Sequence, residues 1–171
     1  MTMNGNILKK SLIYALMVSI IVVQKWVLAI IPNFQFTTLL IVLFFYLFGF
    51  KGTLLITILY VLIDNLYMGT FHIIYTPIML IAWCSLIFIL MLFRKNDNVW
   101  LLCLIGGIHG IIYSLCYAVG GIIFYEVDFV LYLLSDIPFT LLLVVSNVIT
   151  ILWLYKPISK IMKKFLCENV C

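Results

Sequence analysis

Charged side chains are scarce in this sequence. Of its 171 residues, 9% are Asp, Glu, Lys or Arg, whereas 67% are hydrophobic and the mean hydropathy is +1.31. A water-soluble domain normally carries charge on about a quarter of its residues, so this composition excludes a soluble fold. The chain is therefore expected to be an integral membrane protein.

The hydrophobic runs also lack the two-residue alternation that is typical of membrane barrel strands. In lipid, backbone polar groups must be paired within a helix or a closed barrel, so unbroken apolar runs favour helices of about 20 residues per span. We predict an all-α integral membrane bundle of six transmembrane helices over residues 1–156, with N- and C-termini cytoplasmic, and a basic amphipathic cytoplasmic tail over residues 157–171. The six expected segments are 7–31, 36–48, 53–68, 74–93, 99–119 and 137–155.

Two connections between these segments have distinctive sequences. The short segments 36–48 and 53–68 are joined by a glycine-containing turn at residues 49–52, which predicts a hairpin; because both segments are short, this hairpin could end before crossing the full thickness of the membrane. Residues 122–135 are apolar but include acidic side chains, and we expect them to form a loop at the outer interface. Asp136 lies two residues before a proline and is interpreted as the N-cap of the sixth helix.

Basic residues indicate how the bundle is oriented, because Lys and Arg are enriched in cytoplasmic loops. With the N-terminus inside, only Lys25 of the ten Lys and Arg residues lies away from the cytoplasmic side. The cytoplasmic basic residues are then Lys9, Lys10, Lys51, Arg94, Lys95, Lys156, Lys160, Lys163 and Lys164. The net charge of +4 is thus a topology signal and does not indicate binding to nucleic acid.

Enzyme motifs are missing from the sequence. The two histidines, His72 and His109, lie in different segments, and neither His-Glu-x-x-His nor Gly-x-Ser-x-Gly occurs. The five cysteines form no disulfide framework and are expected to be free thiols. We therefore expect no enzymatic activity, no metal site and no cofactor.

Several polar or amphipathic side chains fall at membrane depth, where each is a candidate functional group. Counting from the cytoplasmic anchors at about 1.5 Å per residue places Trp83, His109 and Asn147 about 14–16 Å deep, near the middle of the bilayer. Asp64 and Lys25 lie deeper, at about 20–22 Å. Because these polar side chains from different segments fall at similar depths, we predict a cavity that opens to the outer face and has its floor near the midplane of the bilayer.

The candidate substrate-binding residues combine these groups with polar residues at the outer ends of the segments. They are Asn33, Gln35, Asp64, Asn65, Tyr75, Trp83, His109, Tyr113, Tyr117 and Asn147. Structural roles are alternatives for several of them. His109 and Asn147 could make interhelical hydrogen bonds, the two tyrosines near His109 could be packing residues, and Lys25 could form a structural ion pair with Asp64.

Two loop sequences and one helix stripe resemble a known family. The sequence Ile-Pro-Asn-Phe-Gln-Phe-Thr-Thr occupies residues 31–38, and Asp-Asn-Leu-Tyr-Met-Gly occupies residues 64–69. Ser11, Ala15 and Ser19 lie four residues apart, so another helix could approach closely across them. In this pattern the chain resembles the substrate-binding S components of energy-coupling factor (ECF) vitamin transporters.

This resemblance implies a subunit that binds a water-soluble vitamin or precursor on the outer face and delivers it inward. The implied partners are a membrane coupling subunit, which would dock on Ser11, Ala15 and Ser19, and two cytoplasmic ATP-binding subunits that supply the energy. The chain itself contains no Gly-rich phosphate loop. A bacterial cell membrane is the implied location.

Other functions remain open for a chain of this kind. A stand-alone small transporter or channel is the main alternative, and an intramembrane enzyme is the weaker one. Acidic residues on the expected outer side outnumber the single Lys25, which favours a neutral or cationic solute over a dicarboxylate.

Overall fold

A computed structural model describes residues 3–31, 34–67, 75–125 and 128–170. Five helices account for almost all of this part of the chain, and each of them is long and apolar enough to cross a membrane. They are α1 (Met3–Val27), α2 (Thr37–Tyr67), α3 (Tyr75–Leu92), α4 (Val99–Tyr125) and α5 (Phe129–Val170). The prediction of an all-α fold is confirmed, and the length and apolar composition of the five helices are those of a multi-pass membrane protein.

The second and third predicted segments belong to one element, α2, which is interrupted at Gly49 by a backbone with φ 70° and ψ −177°. We call residues 37–48 the first arm and residues 50–67 the second arm. A straight helix of this length would extend about 46 Å, yet both ends of α2 lie beside the same end of α1, through Gln24–Thr37 and Lys25–Asp64 contacts. The chain therefore folds back at Gly49, as the glycine-containing turn predicts.

The first arm lies at the centre of the protein. All of its residues from Thr37 to Phe45 are buried, which is typical of a helix that has neighbours on every side. The remaining helices contact one another in chain order, and α5 also contacts α2. The polar residues that α2 to α5 direct inward are consequently brought close together.

The prediction of an interfacial loop over residues 122–135 is wrong. Helix α4 continues to Tyr125 and α5 already begins at Phe129. The Asp128 carboxylate accepts a hydrogen bond of 2.8 Å from the Leu131 backbone N–H, which is the N-cap arrangement. Pro138 lies inside α5 and does not mark its start.

Asp136 is therefore a residue within α5, and its interpretation as an N-cap is also wrong. Its carboxylate accepts hydrogen bonds from the hydroxyls of Ser114 on α4 and Thr140 one turn further along α5. A carboxylate can remain inside this helix because hydroxyl donors from the bundle solvate it. The sequence does not reveal the Ser114 donor, because Ser114 is 22 positions away.

Helix α5 also continues beyond Pro157 to Val170, so the expected tail is helical and follows the last span without a break. Met162 and Leu166 of this tail pack against the hydrophobic core. Its basic residues alternate with these apolar positions, and contact with the anionic inner leaflet stays a prediction.

Gly49 provides a test of the fold. Its backbone conformation is essentially restricted to glycine, while no atom lies within 4 Å of an added Cβ. We expect Gly49→Ala to lower the free energy of unfolding by about 1–3 kcal/mol through backbone strain alone. Gly121→Ala is the matched control, since this helical glycine leaves ordinary van der Waals space for a Cβ. Equilibrium unfolding in mixed micelles measures both, and equal stability of the two variants would contradict a strained turn.

Candidate functional site

An aromatic cluster occupies the centre of the bundle around Trp83, which is 1% exposed. The Trp83 ring centroid lies 5.1 Å from that of His109, 5.3 Å from that of Tyr113 and 6.1 Å from that of Tyr60. The depth count thus correctly brings Trp83 and His109 together. Tyr60 was not among the candidates, although it lies four residues before Asp64 and so on the same helix face.

Buried polar atoms in and around this cluster lack hydrogen-bond partners among the residues that the structure describes. They are Tyr60 Oη, His109 Nδ1 and Nε2, Trp83 Nε1, Asn147 Oδ1, Asp64 Oδ1, Thr38 Oγ1 and Thr57 Oγ1. Leaving such a group unpaired costs about 1–3 kcal/mol. Since buried polar groups in proteins are nearly always paired, these atoms are candidates for pairing with water or with polar atoms of a ligand.

Asn147 joins α5 to α4 and also belongs to this polar group. Its amide nitrogen donates a 3.0 Å hydrogen bond to the Gly106 carbonyl, while its Oδ1 is unpaired. A Cβ on Gly106 would lie 2.5 Å from Ile151 Cδ1 on α5, and one on Gly110 would lie 3.3 Å from the Val144 backbone. The glycines therefore let the helix backbones approach closely. The interhelical hydrogen bond considered for Asn147 is present, and it involves the amide nitrogen but not the amide oxygen.

The Asp64 carboxylate is paired with Lys25. The Lys25 Nζ lies 2.5 Å from Asp64 Oδ2 and 5.9 Å from the centroid of the Tyr60 ring. Since the Asp64 side chain is 4% exposed, the ammonium compensates a charge that would otherwise be costly to bury. The structural alternative thus accounts for this pair, and Asp64 is not an uncompensated charge.

Two further candidates hold helices together. The Asn65 amide donates to the Val61 carbonyl at 2.8 Å and accepts from the Thr76 hydroxyl of α3 at 3.1 Å. The Gln35 backbone N–H donates to the Ser146 hydroxyl of α5 at 3.3 Å. Asn33 lies outside the described residues, as does the end of the 64–69 turn.

Gln24 is a residue that the sequence analysis missed. Its amide nitrogen donates to the Thr37 hydroxyl at 2.8 Å, and its amide oxygen accepts from the Phe36 backbone N–H at 2.9 Å. Gln24 therefore fixes the start of α2 to α1. A polar side chain one position before Lys25, at the same depth, was the available signal.

A cavity of about 270 Å³ lies between α4 and α5, next to the aromatic cluster. Its lining is rich in tyrosine rings and hydroxyls and consists of Tyr113, Ser114, Tyr117, Tyr132, Asp136, Thr140 and Leu143. The Tyr113 hydroxyl donates to that of Tyr117 at 3.2 Å, and the Tyr75 ring stacks on Tyr117 with centroids 5.9 Å apart. The predicted residues Tyr113 and Tyr117 thus face the cavity, whereas Trp83 packs behind Tyr113.

Three lining residues from α5 were not among the candidates: Tyr132 was assigned to the 122–135 loop, Asp136 was interpreted as an N-cap, and Thr140 of the sixth predicted segment was not singled out. Tyr132, Asp136 and Thr140 are spaced four residues apart, so they share one face of a helix. Extending the sixth predicted segment toward the N-terminus would have revealed this face.

The stripe of Ser11, Ala15 and Ser19 lies on the outside of α1. All three residues are exposed, whereas Met17 and Ile21 face the core. The Ser19 hydroxyl donates to the Ala15 carbonyl at 2.9 Å and so does not reach a neighbouring helix. The stripe is not used for packing inside the described part of the bundle.

Breaking the Lys25–Asp64 pair tests its structural role. Lys25→Met leaves the carboxylate buried without a cation, which costs about 3–5 kcal/mol for a fully buried pair. Because the Lys25 side chain is 25% exposed, we expect a smaller loss, about 1–3 kcal/mol. The double variant with Lys25→Met and Asp64→Leu should recover most of it, since replacing both charges by apolar groups removes the unpaired ion. Unfolding in mixed micelles provides the comparison, and an unaffected Lys25→Met protein would contradict the structural role.

Among the residues that the structure describes, no three His, Cys, Asp or Glu side chains are grouped so as to hold a metal ion. Comparison with known proteins gives no relative for this chain, because no family model, no curated protein and no solved structure matches it.

Proposed function

We propose that this chain is the substrate-binding S component of an ECF-type importer in a bacterial cell membrane. It captures a water-soluble vitamin or precursor on the outer face and delivers it inward with a membrane coupling subunit and two cytoplasmic ATP-binding subunits. The observation that carries the proposal is the group of unpaired buried polar atoms around Trp83 and His109, beside a cavity that is walled by tyrosines.

The proposed topology is six membrane crossings with both termini in the cytoplasm. Its support is the fold-back at Gly49, which divides α2 into two arms whose far ends both lie beside the same end of α1. The Tyr46 hydroxyl donates a 2.8 Å hydrogen bond to the Asn96 carbonyl, so the Gly49 end of α2 lies beside the connection between α3 and α4. This connection contains Arg94 and Lys95, and positively charged connections are cytoplasmic.

Binding in this site would use the physical properties of its residues. Aromatic rings provide a large contact area and lose little conformational freedom, which suits a ligand that contains a ring. The unpaired atoms of His109 and Asn147 are available to its polar groups. Hydrogen bonds to the ligand remove the free-energy penalty of burying these atoms unpaired. The ligand should therefore also stabilise the folded state.

The test of binding begins with mass spectrometry of the small molecule that co-purifies with the protein. Trp83→Ala and Asn147→Ala should each weaken binding of this molecule at least about tenfold, equivalent to 1.4 kcal/mol. Trp153→Ala is the matched control, because Trp153 is 73% exposed on α5 and should leave binding unchanged. Normal binding by folded Trp83→Ala and Asn147→Ala proteins would show that the central cluster only packs the helices.

Transport measurements separate an S component from a stand-alone transporter. Reconstituted alone in liposomes, an S component should bind its ligand without accumulating it, whereas addition of the coupling and ATP-binding subunits should allow uptake driven by ATP. Accumulation by the isolated chain would instead favour the stand-alone transporter.

The exposed α1 stripe supports a docking role for Ser11, Ala15 and Ser19. Ala15→Trp should abolish co-purification with the coupling subunit, because the indole prevents close approach of another helix, but ligand binding by the isolated chain should persist. Ile81→Trp on α3 introduces the same side chain at a position that is 62% exposed and should not affect assembly. Assembly of the Ala15→Trp protein at the normal level would exclude this docking face.

A further inference from the structure

Asp136 is an acidic side chain at membrane depth whose surroundings differ from those of Asp64. It lies on the wall of the cavity between α4 and α5, and its Oδ2 accepts hydrogen bonds from the Ser114 and Thr140 hydroxyls. Two donors on one oxygen solvate a carboxylate in its charged form. Ser114 lies about 22 Å from the cytoplasmic start of α4, so the cavity belongs to the outer part of the bundle.

No cation compensates Asp136 within the part of the chain that the structure describes. Lys25 is the one basic residue at the outer ends of the described helices, and it is already 2.5 Å from the Asp64 carboxylate. The local field of the cavity therefore attracts positive charge.

The aromatic walls of the cavity favour the same kind of ligand. Tyr113, Tyr117 and Tyr132 contribute ring surfaces beside Asp136, and the face of an aromatic ring attracts a cation. A hard metal cation takes about six oxygen ligands, whereas this lining offers one carboxylate, with one oxygen occupied by hydroxyl donors. The combination suits an organic ammonium group, which needs few directed oxygens.

We propose that the cavity between α4 and α5 recognises a small organic cation, with Asp136 as the group that binds its charge and the Tyr117 and Tyr132 rings as its walls. This assignment rests on the proposed function, since it specifies the substrate class for the same region of the protein. A volume of about 270 Å³ corresponds to about nine groups of the size of water. The recognised part of the ligand is therefore a single substituted ring or a short amine.

The experiment compares three probes of nearly equal size: benzylammonium, benzyl alcohol and benzoate. Benzylammonium should bind saturably to the purified protein in nanodiscs, as measured by calorimetry and by a rise in unfolding temperature. Benzyl alcohol should bind at least about tenfold more weakly and benzoate should not bind. Asp136→Asn preserves an oxygen for the Ser114 and Thr140 hydroxyls but removes the charge, so it should weaken benzylammonium binding at least about tenfold. Asp128→Asn is the matched control and should bind it normally, because Asn also serves as an N-cap.

Three results would overturn the inference: equal binding of the alcohol and the ammonium probe, unchanged benzylammonium binding by Asp136→Asn, or the same thermal shift from sodium ion alone. The molecule that co-purifies with the protein separates this inference from the proposed function. A neutral or anionic molecule that is taken up only with ATPase partners would preserve the proposed function and exclude the cation site. Benzylammonium binding that depends on Asp136, in a chain that assembles with no coupling subunit, would support the cation site and exclude the proposed function.

Discussion

Lipid supplies no hydrogen-bond donors or acceptors, so polar side chains within this bundle need partners from neighbouring helices. The ends of the helices meet this requirement in pairs that also determine the packing: Lys25 with Asp64, Gln24 with Thr37, and Asn65 with Thr76. The centre does not meet it. Both ring nitrogens of His109 and the Asn147 amide oxygen are buried without partners among the described residues.

This contrast distinguishes polar groups that hold helices together from polar groups that are candidates for ligand binding. A pair such as Lys25 and Asp64 satisfies its own charges, and a ligand that displaced it would have to compensate both ions. When a ligand supplies a hydrogen bond to an unpaired group such as His109, the free energy of the complex is lowered. The functional interpretation therefore rests on the groups that the fold leaves unpaired, and the paired residues are the frame that positions them.

The frame itself depends on the turn at Gly49. By folding back there, α2 places its first arm in the middle of the protein and its second arm between α1 and α3, which brings Tyr60 against Trp83. A continuous α2 would carry these two residues apart. Helix α4 packs against α5, and Gly106 and Gly110 allow close contact between the two helices. The tyrosine-lined cavity lies between the same two helices, further along α4.

The sequence by itself determined the apolar, helical character of the chain, the turn at Gly49 and the proximity of Trp83 and His109, because composition and helical rise are properties of the chain alone. It misjudged Asp136, which precedes Ile-Pro in the manner of an N-cap. Only the tertiary structure decided that Lys25 neutralises Asp64 and that Asp136 meets Ser114 instead of a cation. Such pairings depend on the rotation and contact of helices that are far apart in sequence, and hydrophobic periodicity does not specify them.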